Sequence, residues 1–283
     1  MLITIASGKG GTGKTTLATN LAAALNEPVQ LLDCDVEEPN AHLFINPEIQ
    51  QSFEVQLEVP EIDLERCTLC GKCQEICQFN AIGVLPETVL TFPELCHSCG
   101  GCFLICPEGA VKSQARTIGV VEIGVKGHIR LIQGRLRVGE AMAPPLIRRV
   151  KQEAHPDGLA IIDAPPGTSC PVVSALFGSD FVLLVTEPTP FGLHDLELAV
   201  GAVRELGLPM GLVINRADLG DRRVHDYAAR EHLPILLEIP FDREAAGIYA
   251  RGRLLVEALP GWRKMMLGLL HEVQKNLGSP EAR

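Results

Sequence analysis

Gly8-Lys9-Gly10-Gly11-Thr12-Gly13-Lys14-Thr15 is the stretch on which the reading of this chain turns. Its glycines let successive backbone N–H groups face inward around phosphate oxygens. Lys14 brings a point charge to the β and γ phosphates, and Thr15 offers a hydroxyl to Mg²⁺. The surroundings agree. Leu2–Ala6 before the loop is an apolar run of strand type. Residues 15–25 after it are alanine-rich and helical in pattern, so the loop lies at a helix N-terminus, where the backbone dipole favours an anion. Residues 29–32 form a second buried strand, which ends at Asp33. This β–loop–α–β opening is that of an α/β domain.

The same rhythm returns downstream. Residues 146–153 read as a helix, 159–162 as a strand ending at Asp163, and 181–185 as another strand. A helix at 193–206, a strand at 211–214 ending at Asn215, a helix at 221–232, a strand at 235–239 and a helix at 261–277 follow. Apolar runs joined by helical stretches predict a doubly wound, mainly parallel sheet with right-handed crossovers. Between the two halves, residues 53–59 alternate like a strand, and 118–125 with 128–132 predict a hairpin turning at Lys126-Gly127. The expected architecture is a discontinuous α/β P-loop ATPase domain, residues 1–59 and 116–283, interrupted by a small α+β insert at 60–115.

That insert carries the cysteines. Eight of the ten lie between Cys67 and Cys106. Cys67-x-x-Cys70-x-x-Cys73-x-x-x-Cys77 recurs as Cys96-x-x-Cys99-x-x-Cys102-x-x-x-Cys106, a shift of 29 residues (67 to 96). Ala81-Ile82 and Ala110-Val111 repeat at the same shift. Regular spacing of this kind reads as metal binding in a reducing compartment, and a cytoplasmic location is expected. Four-thiolate zinc is the rival reading. Three cysteines at successive two-residue gaps wrap the corner of an iron–sulfur cube better than a tetrahedral ion.

Composition narrows the function classes. Hydrophobic residues make up 46% of the chain and aromatics only 4%, which suits parallel strands covered on both faces. The formal charge is −10 with no basic tail, so nucleic acid is not an expected partner. No apolar run reaches the about 18 residues that span a bilayer. The apolar start runs straight into the glycine loop, without the pattern of a signal peptide. Cys34 and Cys170 read as buried, inert thiols.

Three acids and a glycine extend the nucleotide site. Asp163, in Ile162-Asp163-Ala164-Pro165-Pro166-Gly167, ends a buried strand and is placed to hold Mg²⁺ through water. The Gly167 N–H is a candidate donor to the γ-phosphate, in a segment that would change shape when that phosphate leaves. Asp33 and Asp35 close the second strand, and one is expected to reach the metal shell and the other the attacking water.

Ser7-Gly8-Lys9-Gly10-Gly11-Thr12-Gly13-Lys14-Thr15-Thr16, with its second lysine at Lys9, resembles the deviant Walker A motif of the MinD/ParA/Mrp superfamily. The resemblance covers residues 1–45 and 117–270. It implies that Lys9 reaches the nucleotide of a dimer partner, that Asp35 positions water, and that Asp33 and Asn40 belong to the site. It also implies that Asp163 is the Walker B acid, that Asn215 contacts adenine and that Pro240 lines the base. The insert resembles two-cluster bacterial ferredoxins. Cys106-Pro107 matches their terminal Cys-Pro, while Cys77-Gln78 departs from it. In that pattern the fourth cysteine of each run serves the other cluster. One cube would then take Cys67, Cys70, Cys73 and Cys106, and the other Cys77, Cys96, Cys99 and Cys102.

The implied activity is Mg²⁺-dependent ATP hydrolysis in a nucleotide-dependent homodimer, or in a heterodimer with a related ATPase. Three uses of it stay open: gating of electron transfer to a redox partner, assembly of an iron–sulfur or other metallocofactor on a partner protein, and a positioning or redox-sensing switch with structural clusters. The 262–270 stretch is expected to pack on the sheet rather than on a membrane, because no basic cluster accompanies it.

Overall fold

The computed structural model describes residues 1–277; the end of the 116–283 segment lies outside the described residues. The strands are β1 (Leu2–Ala6), β2 (Val29–Asp33), β3 (Glu48–Ile62), β4 (Ile82–Val84), β5 (Val89–Thr91), β6 (Val111–Lys126), β7 (Ile129–Leu136), β8 (Leu159–Asp163), β9 (Phe181–Thr186), β10 (Met210–Asn215) and β11 (Ile235–Ile239). Nine of them form one sheet in the order β11-β10-β9-β1-β8-β2-β7-β6-β3. From β11 to β7 every neighbouring pair is parallel. β6 and β3 are added antiparallel at one edge, and β4 pairs with β5 in a small separate sheet.

The central strands alternate between two cores, as a period of two requires when both faces are covered. Ile3, Ile5, Leu31, Ile161, Leu183 and Val185 face one layer. That layer is built by α1 (Lys14–Ala24), α2 (Ala41–Ile45), α10 (Leu255–Ala258) and α11 (Trp262–Leu277). Leu32, Ile162, Val182 and Leu184 face the other. It holds α5 (Ala143–Gln152), α6 (Cys170–Leu176), α7 (Pro190–Glu205) and α8 (Arg223–Arg230). α9 (Arg243–Tyr249) packs with α10 beside the first layer. In α11, Met266, Leu269, Leu270 and Val273 are buried at helical spacing, so this helix packs on the sheet as the sequence implies. Among the described residues no helix is long and apolar enough to cross a membrane.

The expected hairpin between β6 and β7 is present and turns at Gly127, whose φ is +57°. β3 starts earlier than the 53–59 alternation suggests. Its first residues, 48–52, are all exposed and, apart from Ile49, polar, so hydrophobicity did not mark them; pairing with β6 keeps them extended. β3 and β6 run without interruption through residues 60 and 115. β7 pairs only with residues 119–126 of β6. The rest of the β3–β6 ribbon therefore projects beyond the sheet, and residues 63–110 sit at its end.

Within 63–110 the sequence repeat is also a conformational one. α3 (Lys72–Ile76) and α4 (Gly101–Ile105) are related by the same 29-residue shift as the cysteines. Left-handed residues fall in matching places: Leu69 with Ser98, Gly71 with Gly100, and Asn80 with Gly109. Gly71 and Gly100, at φ +80° and +79°, start the two helices where an L side chain would be strained.

Candidate functional site

The nucleotide-site residues gather at the C-terminal edge of the parallel strands, where open α/β sheets bind ligands. The glycine loop follows β1, Asp33 and Asp163 end β2 and β8, Asn215 ends β10, and Pro240 follows β11. Strand register sets Asp33 directly beside Asp163, and Asp163 beside Ile5.

Gly11 and Gly13 take φ of +78° and +100° to turn the loop. Gly8 has no room for a side chain, since a Cβ would lie 2.1 Å from the Asp195 carbonyl oxygen. Asn215 braces the loop from below: its Nδ2 donates to the Thr12 carbonyl at 2.9 Å, and a Cβ on Gly13 would collide with it. Lys14 is buried at the loop's end. Burial pushes its ammonium pKa down, while Asp163 and Asp35 pull it up.

Thr15 Oγ1 donates to Asp163 Oδ2 at 2.5 Å, and the other carboxylate oxygen, Oδ1, is buried without a partner. A hydroxyl and an unsatisfied carboxylate oxygen form the hard oxygen donor set that Mg²⁺ requires, so the residues fit that ion. Asp163 is pushed up to about 7 by burial, against the Thr15 hydrogen bond and Lys14. Asp35 is pushed up to about 6, again chiefly by burial, with Lys14 opposing. Asp35 and Asn40 line the cleft, together with Gly10, Gly11, Gly13, Lys14, Thr15 and Thr16. Asp33 is engaged elsewhere. Its Oδ2 accepts from the N–H groups of Asn40 and Ala41, each at 2.9 Å, and so holds the start of α2. Burial and the neighbouring Asp163 push its pKa well up.

Beyond Asn215 and Asp33, two more sequence-predicted residues have their groups occupied. The Gly167 N–H donates to the Ser7 carbonyl at 3.0 Å, so reaching a phosphate requires that bond to open. Lys9 Nζ stands 3.5 Å from Glu187 Oε2, and Arg216 Nη1 stands 3.0 Å from Glu187 Oε1. Glu187, just past β9 and nearly buried, was not singled out from the sequence; its one signal is a charge at the end of an apolar strand. The cleft is also lined by Pro240 and Phe241, of the segment the resemblance sets against the base, and by Tyr249 and Trp262, which no motif marked.

The eight clustered cysteines separate into two cavities. One is lined by Cys67, Cys70, Cys73 and Cys106, with Ile62 and Val111 at the ribbon's end. The other is lined by Cys77, Cys96, Cys99 and Cys102, with Glu58 and Pro60 one step nearer the sheet. The fourth cysteine of each run thus faces the three of the other run. Among the described residues no three His, Cys, Asp or Glu side chains close on a single-ion position; the thiols of each set stand around a cavity instead. Matching N–H groups point at sulfur, Ala81 N to Cys77 Sγ and Ala110 N to Cys106 Sγ, both at 3.3 Å. Four thiols with backbone donors fit an iron–sulfur cube. Phe79 and His97 stack at 3.6 Å between centroids beside the inner cavity, a pair without a counterpart at the shifted positions Glu108 and Thr68.

Cys34 is fully buried, and burial pushes its thiol pKa far up, in keeping with an inert group. Cys170 corrects the sequence reading: it is exposed, because the first turn of α6 carries it to the surface.

The CobQ/CobB/MinD/ParA nucleotide binding domain matches residues 3–256. An uncharacterized protein of Methanocaldococcus jannaschii is 33% identical over 263 residues, 91% of each chain. A polyferredoxin protein, MvhB, of Methanothermobacter thermautotrophicus is 44% identical over 54 residues, 18% of this chain and 12% of that one. The septum site-determining protein MinD of Pyrococcus horikoshii, solved with Mg-ADP, superposes with a TM-score of 0.60 at 20% identity, over 98% of this chain and 97% of that one. At that identity the likeness speaks for the fold.

Proposed function

This chain belongs to the CobQ/CobB/MinD/ParA nucleotide binding domain family, and from that premise we propose that it hydrolyses Mg-ATP and couples its nucleotide state to electron transfer through two 4Fe–4S clusters. One observation carries the reading. Eight cysteines sort into two four-thiol cavities at the end of a ribbon that grows out of the nucleotide-binding sheet itself.

In this proposal Lys14 and the loop N–H groups hold the phosphates. Thr15 and Asp163 hold Mg²⁺, which when bound neutralises charge developing on the phosphates. Asp35, whose carboxyl is raised toward neutrality, accepts a hydrogen bond from the attacking water and orients it. Lys9 leaves Glu187 and reaches the nucleotide of a second chain, so the active species is a dimer. Lys9→Ala is then expected to bind nucleotide almost as the parent does, yet to stay monomeric with ATP and lose hydrolysis by about 100-fold. Size-exclusion chromatography and phosphate release check the two halves of that expectation. The cysteine sets belong to a reducing, cytoplasmic setting.

The deciding experiment uses oxygen-free, reconstituted full-length protein. About eight irons and as many sulfides per chain are expected, with a reduction rate that changes when Mg-ATP is added. Iron-poor protein after reconstitution, or no nucleotide uptake by calorimetry, would sink the proposal. One observation favours a second reading, assembly of a metallocofactor on another protein. Cys70 and Cys99, one in each set, are solvent-exposed, as release to an acceptor would require. Intact transfer of a cluster to an apo-protein, stimulated by ATP, distinguishes it.

A further inference from the structure

Glu187 is one carboxylate shared by two cations. It follows β9 at a corner whose backbone is tied down. Its carbonyl accepts from the Thr189 N–H at 2.8 Å, and Thr186 Oγ1 donates to the Gly192 carbonyl at 3.0 Å across the same turn. The two side-chain oxygens are divided between partners: Oε2 faces Lys9 Nζ at 3.5 Å, and Oε1 faces Arg216 Nη1 at 3.0 Å. Oε1 is buried and accepts no aligned hydrogen bond, so charge holds that contact. The strand end that carries Arg216 is itself fixed to the glycine loop. Asn215 donates to the Thr12 carbonyl, and its Oδ1 accepts from the Arg216 N–H at 3.0 Å.

Exposure divides the trio unevenly. The Glu187 side chain is 9% exposed, against 31% for Lys9 and 48% for Arg216. Each cation can therefore leave for water or for another anion at modest cost, but the carboxylate cannot be left alone where it stands. Removing the last partner of a buried charge is strongly unfavourable. With two cations present, one of them can go. Arg216 also lines the nucleotide cleft, while Lys9 stands at the start of the glycine loop.

Resting on the reading that Lys9 reaches the nucleotide of a second chain, the geometry points to Glu187 and Arg216 as the positioning pair that sets how readily two copies close. Glu187 keeps Lys9 at home in the single chain. Arg216 holds the carboxylate once Lys9 departs. No bond is made or broken; one ion pair is exchanged for another. Each closure needs two such departures, one per chain. A partly exposed ion pair worth about threefold per chain then compounds to about ninefold in the dimer constant.

The test is sedimentation equilibrium of the full chain with Mg²⁺ and saturating adenylyl-imidodiphosphate, a non-hydrolysable ATP analogue. Glu187→Gln is expected to lower the dimer dissociation constant by about ninefold, because the amide keeps the shape and releases Lys9. Arg216→Gln is expected to raise it by at least as much, because the departure of Lys9 then strands a buried carboxylate. Arg216→Lys restores most of the loss. Amine labelling of the nucleotide-free chain, read by mass spectrometry, gives a second measure: Lys9 reacts faster than in the parent with Glu187→Gln and slower with Arg216→Gln. Loss of structure would weaken the dimer in both variants, so opposite signs separate the two causes. If one variant does not fold, the sign of the other decides. A parent that dimerises with a constant unmoved by these variants, or a weaker dimer in folded Glu187→Gln, overturns the role of the pair alone. A parent that stays monomeric at saturating nucleotide overturns the reach of Lys9 into a second copy and this inference together.

Discussion

Asp35 sits where the fold opposes its ionisation. Burial raises its carboxyl to about 6, well above the about 3.9 of an ordinary aspartate. Between those two pH values the folded chain binds more protons than the unfolded one, so this residue's contribution to stability falls as pH rises through the window. Asn at the same place has no proton to lose. Nucleotide-free Asp35→Asn is therefore expected to match the parent's melting temperature below about pH 4, to gain on it up to about pH 6, and to hold a constant lead above that. Thermal melts across this range check it, and a lead that shrinks with rising pH would contradict the assigned shift. At this scale Lys14, Thr15 and Asp163 were legible, because a phosphate cradle needs those residue types next to one another or at a strand's end. Glu187 was not legible. Its partners Lys9 and Arg216 are far away in sequence, and only the side-by-side order of β1, β9 and β10 brings them to it. Arg116 reads in sequence as one more exposed charge in an alternating strand, and its burial follows from the loop that brings Glu140 across.

Two glycines of the β6–β7 hairpin have a steric rather than a conformational use against α5. Gly134 faces Val36 and α5; a Cβ there would lie 2.6 Å from Val36 Cγ1 and 2.9 Å from Val150 Cγ2. Gly119 meets the Arg135 carbonyl oxygen and Leu146 in the same way. These positions let α5 settle close on the strands. Overpacking a core of this kind costs about 1–3 kcal/mol. Gly134→Ala is expected to lose stability in that range, read from the denaturant midpoint at unchanged slope, while Gly10→Ala, with open space around it, loses little. The long elements were legible from their periods, since both faces of the central strands are apolar and helices such as α11 show buried residues three and four apart. α2, α3, α4, α9, β4 and β5 were not, because three to seven residues are too few for a period to show. In the cysteine segment the spacing of sulfur carried information that hydrophobicity lacked.

Across the whole molecule, the nucleotide cleft and the cysteine cavities share a sheet but no lining residues. Ile62 and Val111 are the last paired residues of the ribbon, so an Asn-Gly turn can close it there without residues 63–110. Such a shortened chain is expected to carry no iron and to bind Mg-ATP within about twofold of the parent, since separated sites contribute independently. Loss of nucleotide binding in a folded, shortened chain would show that the cysteine segment completes the cleft.

The free end of the ribbon has a mechanical meaning. Its five residues beyond Arg116, which Glu140 ties to the loop after β7, are 111–115 and extend for about 17 Å at about 3.4 Å per residue. Such a cantilever magnifies what happens at its root. A swivel of about 10° where it leaves its last anchor would sweep the tip through about 3 Å, and side-chain contacts are forfeited over less than that. The nucleotide-binding body can therefore remain almost rigid while the surface around the outermost thiols is redrawn.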